Sequence, residues 1–379
     1  MRGAAAAILK RRPALTARRA TGKAGACRLG VARTPPQATS TSAALAHLIS
    51  EVAPWLTVLQ MNRVRPATQH CYFDALIQLL GLVNRKVLPT WTQEEWDDEL
   101  PDLLAGLYAR GAAQEAGTRI VMSLLWARPQ LGRPLRAALP STSAALAGWR
   151  RLQPTQSRAP LPRLVMWAIA DRMLGCGHAL EALAIVTLFE SYLRPSELLA
   201  LLGFQVLAPV DGTHSTRFVG ICIRAAELQV SSKTGDRDGT VLMDLPRQQF
   251  LGRLLLLRKR LCGQAGRVFA MEADQLRRHF LQAAADVKVI GLQPTLYSLR
   301  HGGASHDRAT GARDLLEIQG RGQWRAASSL RRYEKSGRLS IELEKLAPAV
   351  LRRLQILEAE GPTSFEKRCA RLLHSRGSA

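Results

Sequence analysis

The sequence predicts a mainly α-helical protein with one small antiparallel β-sheet, arranged as two domains. Three observations carry this reading. Between residues 43 and 150 apolar side chains recur at helical spacing, and no segment alternates convincingly like a strand. A proline-rich break follows at 153–162. Beyond it, a helical pattern is interrupted once, at about 217–245, by short β-type runs separated by glycine and aspartate.

Residues 1–42 come before any of these elements. They form part of a stretch of nine Arg or Lys with no acidic residue before Glu51. This composition predicts no packed fold. It fits an organelle transit peptide, a basic arm that touches DNA, or a leader without a role. Residues 43–152 form the helical domain. Amphipathic stretches open at Ser42 to Ile49, then run from Ala67 to Leu82 (Tyr72, Phe73, Leu76, Ile77, Leu80), Thr90 to Leu107 (Trp91, Trp96, Leu100, Leu104) and Ala116 to Trp126. Residues 153–162, with three prolines and polar neighbours, read as a linker.

The second domain spans 163–345. Its strands are expected at Arg217 to Arg224, Glu227 to Ser231 and Thr240 to Leu245, with Lys233 at the mouth of a hairpin. Helices are expected at Pro246 to Leu261, Asp274 to Val287, Thr295 to Ala309 and Asp314 to Gln319, the last capped by Gly320. A final amphipathic helix, Ser340 to Glu358, leads into a C-terminal helix-and-tail region assigned to 346–379, and is expected either to pack on its own domain or to dock on a neighbouring subunit.

Lys plus Arg outnumber Asp plus Glu by 53 to 30, a formal charge of +23. Such an excess favours a polyanion, and nucleic acid first, because phosphate contacts release counterions. Richness in Ala, Arg, Leu and Gly is the compositional alternative. The helical block is nearly neutral, so the surplus lies mainly outside it. No run of eighteen apolar residues argues for a membrane span; the apolar Ala179 to Leu188 is short and ends beside Glu190. Six cysteines, at 27, 71, 176, 222, 262 and 369, lack zinc or redox spacing and read as reduced thiols of an intracellular protein. Cys176-Gly177-His178 is the nearest approach to a ligand cluster, and the sequence offers it no partner. No metal and no cofactor is expected.

Four short motifs carry chemistry. Leu193-Arg194-Pro195-Ser196-Glu197-Leu198 presents one arginine and Tyr297-Ser298-Leu299-Arg300-His301 another, followed by Gly302-Gly303. Ser232-Lys233-Thr234-Gly235 offers a hairpin lysine, and Trp324 precedes Tyr333 by nine residues. Metal-free phosphodiester cleavage needs a nucleophile, fixed donors on the non-bridging oxygens and an acid for the leaving group. Guanidinium suits the second task, since its fork matches two phosphate oxygens and its charge is permanent.

In order and spacing these motifs resemble the active site of the tyrosine recombinases and phage integrases. Residues 163–345 resemble their catalytic domain and the helical block their core-binding domain. The resemblance implies that Tyr333 attacks the scissile phosphate, that Arg194 and Arg300 clamp it, that Lys233 protonates the 5′ oxygen, and that Trp324 offers its indole N–H. Glu197 and His301 are read as structural supports. Tyr297 departs from the family, which usually has histidine there; a neutral phenol is a poor proton shuttle. The implied activity is site-specific cleavage and rejoining of double-stranded DNA through a 3′-phosphotyrosyl intermediate, by a homotetramer on DNA, in the nucleus or nucleoid or after organelle import, and not at a membrane. The alternatives are a catalytically weakened DNA-binding protein derived from an integrase, and an enzyme resembling type IB topoisomerases.

Overall fold

The computed structural model describes residues 57–85, 88–132, 134–154, 159–210, 217–223, 239–324 and 336–377. The chain divides into two compact units, Met1–Thr155 and Gln156–Ala379. The expected segment at Ser42 to Ile49, the strand at Glu227 to Ser231, and the residues Lys233 and Tyr333 lie outside the described residues.

The first unit is helical: α1 (Val58–Met61), α2 (Pro66–Leu82), α3 (Gln93–Ala109), α4 (Gln114–Ala127), α5 (Leu135–Ala138) and α6 (Pro140–Leu152). Its ends follow local chemistry. Pro66 opens α2, where a missing N–H costs nothing. Thr92 and Glu95 cap α3 reciprocally, at 3.2 and 2.7 Å. The core joins Leu76, Leu79, Trp96, Leu100, Leu124, Trp126 and Trp149. Asp97 of α3 reaches across to the start of α6 and accepts the N–H groups of Ser141 and Thr142, both at 2.8 Å. Burial pushes its carboxyl up, but the two backbone N–H bonds outweigh that and hold it below the usual carboxylate range.

The second unit contains α7 (Arg163–Gly175), α8 (Ala179–Ser191), α9 (Pro195–Leu199), α10 (Gln249–Cys262), α11 (Ala273–Asp286), α12 (Leu296–Ala309), α13 (Leu315–Arg321), α14 (Ser336–Glu344) and α15 (Pro348–Gly377). Its three-stranded antiparallel sheet has the order β1 (Val206–Leu207), β2 (Gly220–Ile223), β3 (Gly239–Leu242), with Ile221 opposite Val206 and Val241. Strand β1 has no counterpart in the sequence reading, because two residues are too few to show a period.

Helix α8 runs through the middle of this unit, and every residue but Leu180 is buried. The apolar stretch noted in the sequence is thus a central core helix, and among the described residues no helix is long and apolar enough to cross a membrane. Helices α7, α11, α12 and α15 pack against α8.

Three local expectations are corrected. Gly320 lies inside α13, and Gly322 takes the C-cap. The single helix expected from Ser340 to Glu358 is two, because Pro348 cannot continue α14 and instead opens α15. Helix α15 packs on α7 and α10 of its own unit. The end of the proline-rich stretch is also no free tether: Leu161 is 2% exposed and its N–H donates to the Ser298 carbonyl at 3.1 Å.

Candidate active site

Helix α12 carries the second arginine motif and is positioned by three local features. Thr295 and Ser298 cap its N-terminus reciprocally at 3.0 Å each. Its glycines then let it lie directly on the end of α8. A Cβ at Gly302 would strike the Leu161 carbonyl and the Phe189 ring, and one at Gly303 would strike the Phe189 carbonyl and the Tyr192 ring. The Gly-Gly pair is therefore a packing requirement of this backbone approach.

That approach buries Arg300, which is 1% exposed. Its two terminal nitrogens donate to the carbonyls of Tyr192, at the end of α8, and of Gly322, at the end of α13. Its third neighbour is Glu197, with N···O 3.8 Å. The same carboxylate pairs with the guanidinium of Arg194 and accepts the Arg194 backbone N–H at 2.8 Å, which caps α9. Arg194 and Arg300 thus meet at one acidic side chain. Glu197, read as a support from sequence, both orients Arg194 and caps its helix.

Trp324 joins this group. Gln323 adopts a left-handed conformation (φ 50°) just past the C-cap of α13, where the chain turns, and the Arg300 guanidinium carbon stands 4.8 Å from the Trp324 ring centroid. Tyr192 stacks with Trp324, with ring centroids 6.3 Å apart and planes at 23°, and Arg321 lies 5.4 Å from the Tyr192 ring. Each ring of the stacked pair thus has a guanidinium beside it, a contact favoured by the aromatic quadrupole. Tyr297 sits in the first turn of α12 with its ring 5.1 Å from that of His301. Of the six residues singled out, Arg194, Arg300 and Trp324 come together and Tyr297 lies one turn away on the helix of Arg300. The side chains of Lys233 and Tyr333 lie outside the described residues. Gly239 of β3, which pairs with Ile223 of β2, lies so close to the Gln323 amide that a Cβ there would collide with it.

Sequence reasoning missed Tyr192. It is the αL cap of α8 (φ 57°), a place that ordinarily favours glycine or asparagine, so nothing in the sequence marked it. Its hydroxyl donates to Asp307. Burial, and then the Asp307 charge, keep that phenol well above its ordinary pKa, so it stays a proton donor. Asp307 also pairs with Arg247 and lies 3.4 Å from Arg313. Arg313 in turn pairs with Asp244, Arg321 stands 3.7 Å from Asp244, and Glu190 lies 3.5 Å from both Arg247 and Arg163. The desolvated Asp307 carboxyl is pushed up despite Arg247. Beside it, burial and then Arg163 and Arg247 lower the His306 imidazole to about 4.

A second cluster corrects the expectation about His178. The fold brings it to Glu181 and, from α11, to His279, all three with ligand atoms within 4.8 Å of one another. The partners are invisible from the sequence because His279 is 98 residues from Glu181.

No protein-family model and no curated protein sequence matches this chain. Solved structures similar to it include the following three. XerA recombinase is 15% identical (TM-score 0.34), with 82% of this chain and 97% of that one covered. XerH site-specific recombinase bound to palindromic difH substrate, a post-cleavage complex, is 14% identical (TM-score 0.50; 79% and 87% covered). The Tn1549 transposon integrase in complex with transposon right-end DNA is 13% identical (TM-score 0.47; 80% and 98%). The likeness to XerH shows a shared fold, mainly helical with a small antiparallel sheet.

Proposed function

We propose that this chain is a tyrosine recombinase that cleaves and rejoins duplex DNA. Tyr333 attacks the scissile phosphorus, the 5′ oxygen leaves with a proton from Lys233, and a 3′-phosphotyrosyl ester results. Attack by a 5′ hydroxyl reverses the exchange, so the bond energy is conserved and no external energy is needed. The observation that carries the reading is the meeting of Arg194 and Arg300 at the single carboxylate of Glu197. Two guanidiniums brought to one carboxylate make a cationic place that a phosphodiester could join. A guanidinium has five N–H donors, so carbonyl bonds can fix its plane while it still addresses an anion. Trp324, stacked on Arg300, would supply an indole donor next to the same phosphate. In this reading the first unit grips the duplex through its backbone phosphates, and the active assembly is a tetramer on DNA.

Tyr297 favours a second reading, a DNA-binding protein of this fold with weakened chemistry, because it stands where the family has an imidazole, the better proton shuttle. A pool of nicked duplexes of randomised sequence separates the two. A recombinase traps a covalent complex, and Tyr333→Phe abolishes trapping while leaving the mobility shift intact. A wild-type shift without any trapping would establish the binding protein instead. Relaxation of plasmid without site dependence at low protein concentration would point to topoisomerase behaviour.

A further inference from the structure

At the opposite end of α8 from Arg194 lies the cluster that the recombinase reading does not use. His178 caps the N-terminus of α8, Glu181 sits in its first turn, and His279 projects from α11. The His178 and His279 rings stack at 3.8 Å with planes 18° apart. Glu181 is 3% exposed and accepts from Gln275 at 2.9 Å, with His279 Nδ1 3.1 Å away. Among the described residues its one ion-pair partner is that histidine. A carboxylate this deeply buried ordinarily faces an arginine, a lysine or a metal ion. The donor set, two imidazole nitrogens and one carboxylate oxygen with ligand atoms within 4.8 Å of one another, is that of a borderline divalent ion; because an ion lies in the plane of each ligating ring, binding would turn one imidazole out of the stack.

We propose that His178, Glu181 and His279 bind one Zn²⁺ per chain as a structural clip that ties the N-terminus of α8 to α11. The two helices are joined here across 98 residues of sequence, so a cross-link at this point removes much freedom from the unfolded chain. Helix α8 has thirteen residues, a span of about 20 Å at 1.5 Å per residue, and at its far end the chain passes directly into Tyr192 and Arg194. The clip would therefore hold the rod on which the arginine pocket is mounted without touching the pocket. This inference is independent of the DNA chemistry and stands or falls separately.

The test uses the full-length chain stripped with EDTA and titrated with Zn²⁺. Calorimetry should give one ion per chain, and the melting temperature should rise by roughly 5–10 °C at a hundredfold excess over Kd. His178→Gln and His279→Gln should each lose that rise, measured against its own metal-free melting temperature, whereas His70→Ala in the first unit should keep it. Co²⁺ should give the intense visible absorption of a tetrahedral site in the wild type, which keeps the test decisive should a variant fail to fold. Either the same Zn²⁺ shift in the His178→Gln/His279→Gln protein, or a wild type with no shift and only the weak spectrum of hydrated Co²⁺, would overturn the proposal.

Discussion

Two groups of charged side chains flank Tyr192, and they differ in balance. On one side Arg163, Arg247, Arg313 and Arg321 face Glu190, Asp244, Asp307 and Glu358. Every cation there has an anion, and backbone carbonyls take further bonds: Arg321 donates to Leu242 and Glu190 at 2.7 and 2.8 Å. On the other side Arg194 and Arg300 meet at the carboxylate of Glu197, and Arg300 is otherwise held by the carbonyls of Tyr192 and Gly322. Buried charge is tolerated where it is matched. In the proposed reading the group tied into several carboxylates is scaffold, and the pair that meets at one carboxylate is where the phosphate would sit. The difference separates scaffold from candidate pocket more sharply than residue type, since both sides are rich in arginine.

The balanced side should break first. Asp307→Ala leaves the Tyr192 hydroxyl without its acceptor and Arg247 with Glu190 in place of two carboxylates, and removing one partner of a buried pair costs about 3–5 kcal/mol; urea unfolding should show it. The unbalanced side should fail in activity. Arg300→Lys keeps the charge but loses the planar fork between two carbonyls and the stack on Trp324, and covalent trapping should fall about 10²–10³-fold, as for loss of one preorganised donor. If trapping survives Arg300→Lys unchanged, the proposed division between the two groups is wrong.

A pH titration sharpens the contrast more gently. The His306 imidazole is lowered to about 4 in the folded chain, whereas an unfolded histidine titrates near 6.5. Between these values the unfolded state binds the extra proton, so stability is full above about pH 6.5 and is lost as pH falls toward 4. The loss is at most about 3 kcal/mol at 1.36 kcal/mol per unit, and His306→Gln should flatten that limb of the curve. The smallest effect is expected in the other unit. Asp97→Ala removes the side chain that accepts the Ser141 and Thr142 N–H groups at the start of α6, costing about 1–2 kcal/mol and leaving the melting of the second unit in place.

What the sequence disclosed follows from range. Helices α2, α3 and α4 were legible within a few residues because their signal, apolar spacing, is local; the starts set by Pro66 and by the Thr92–Glu95 cap emerged with the structure. The arginine motifs were legible because each is a short string. Helix α6 was not separated from its surroundings, since its buried face consists of Thr142, Leu146 and Trp149, and two large apolar side chains are too few to show a period. The charge networks escaped entirely. Asp307 is 115 residues from Tyr192 and 60 from Arg247, and no periodicity reports which distant carboxylate will neutralise which arginine. The left-handed backbone at Tyr192 was equally silent, because its support comes from Asp307 and Trp324.

The seating of Arg300 has a corollary for tracing the ancestry of such chains. Its guanidinium ties the end of α8 to the end of α13, so a lineage that had abandoned strand cleavage would still collapse without it. Retention of that arginine is therefore no certificate of a working enzyme. Arg194 is the more telling witness: its side chain is 15% exposed and, among the described residues, its ion pair is with Glu197 alone, so once a phosphate no longer needs gripping, little else obliges the chain to keep it.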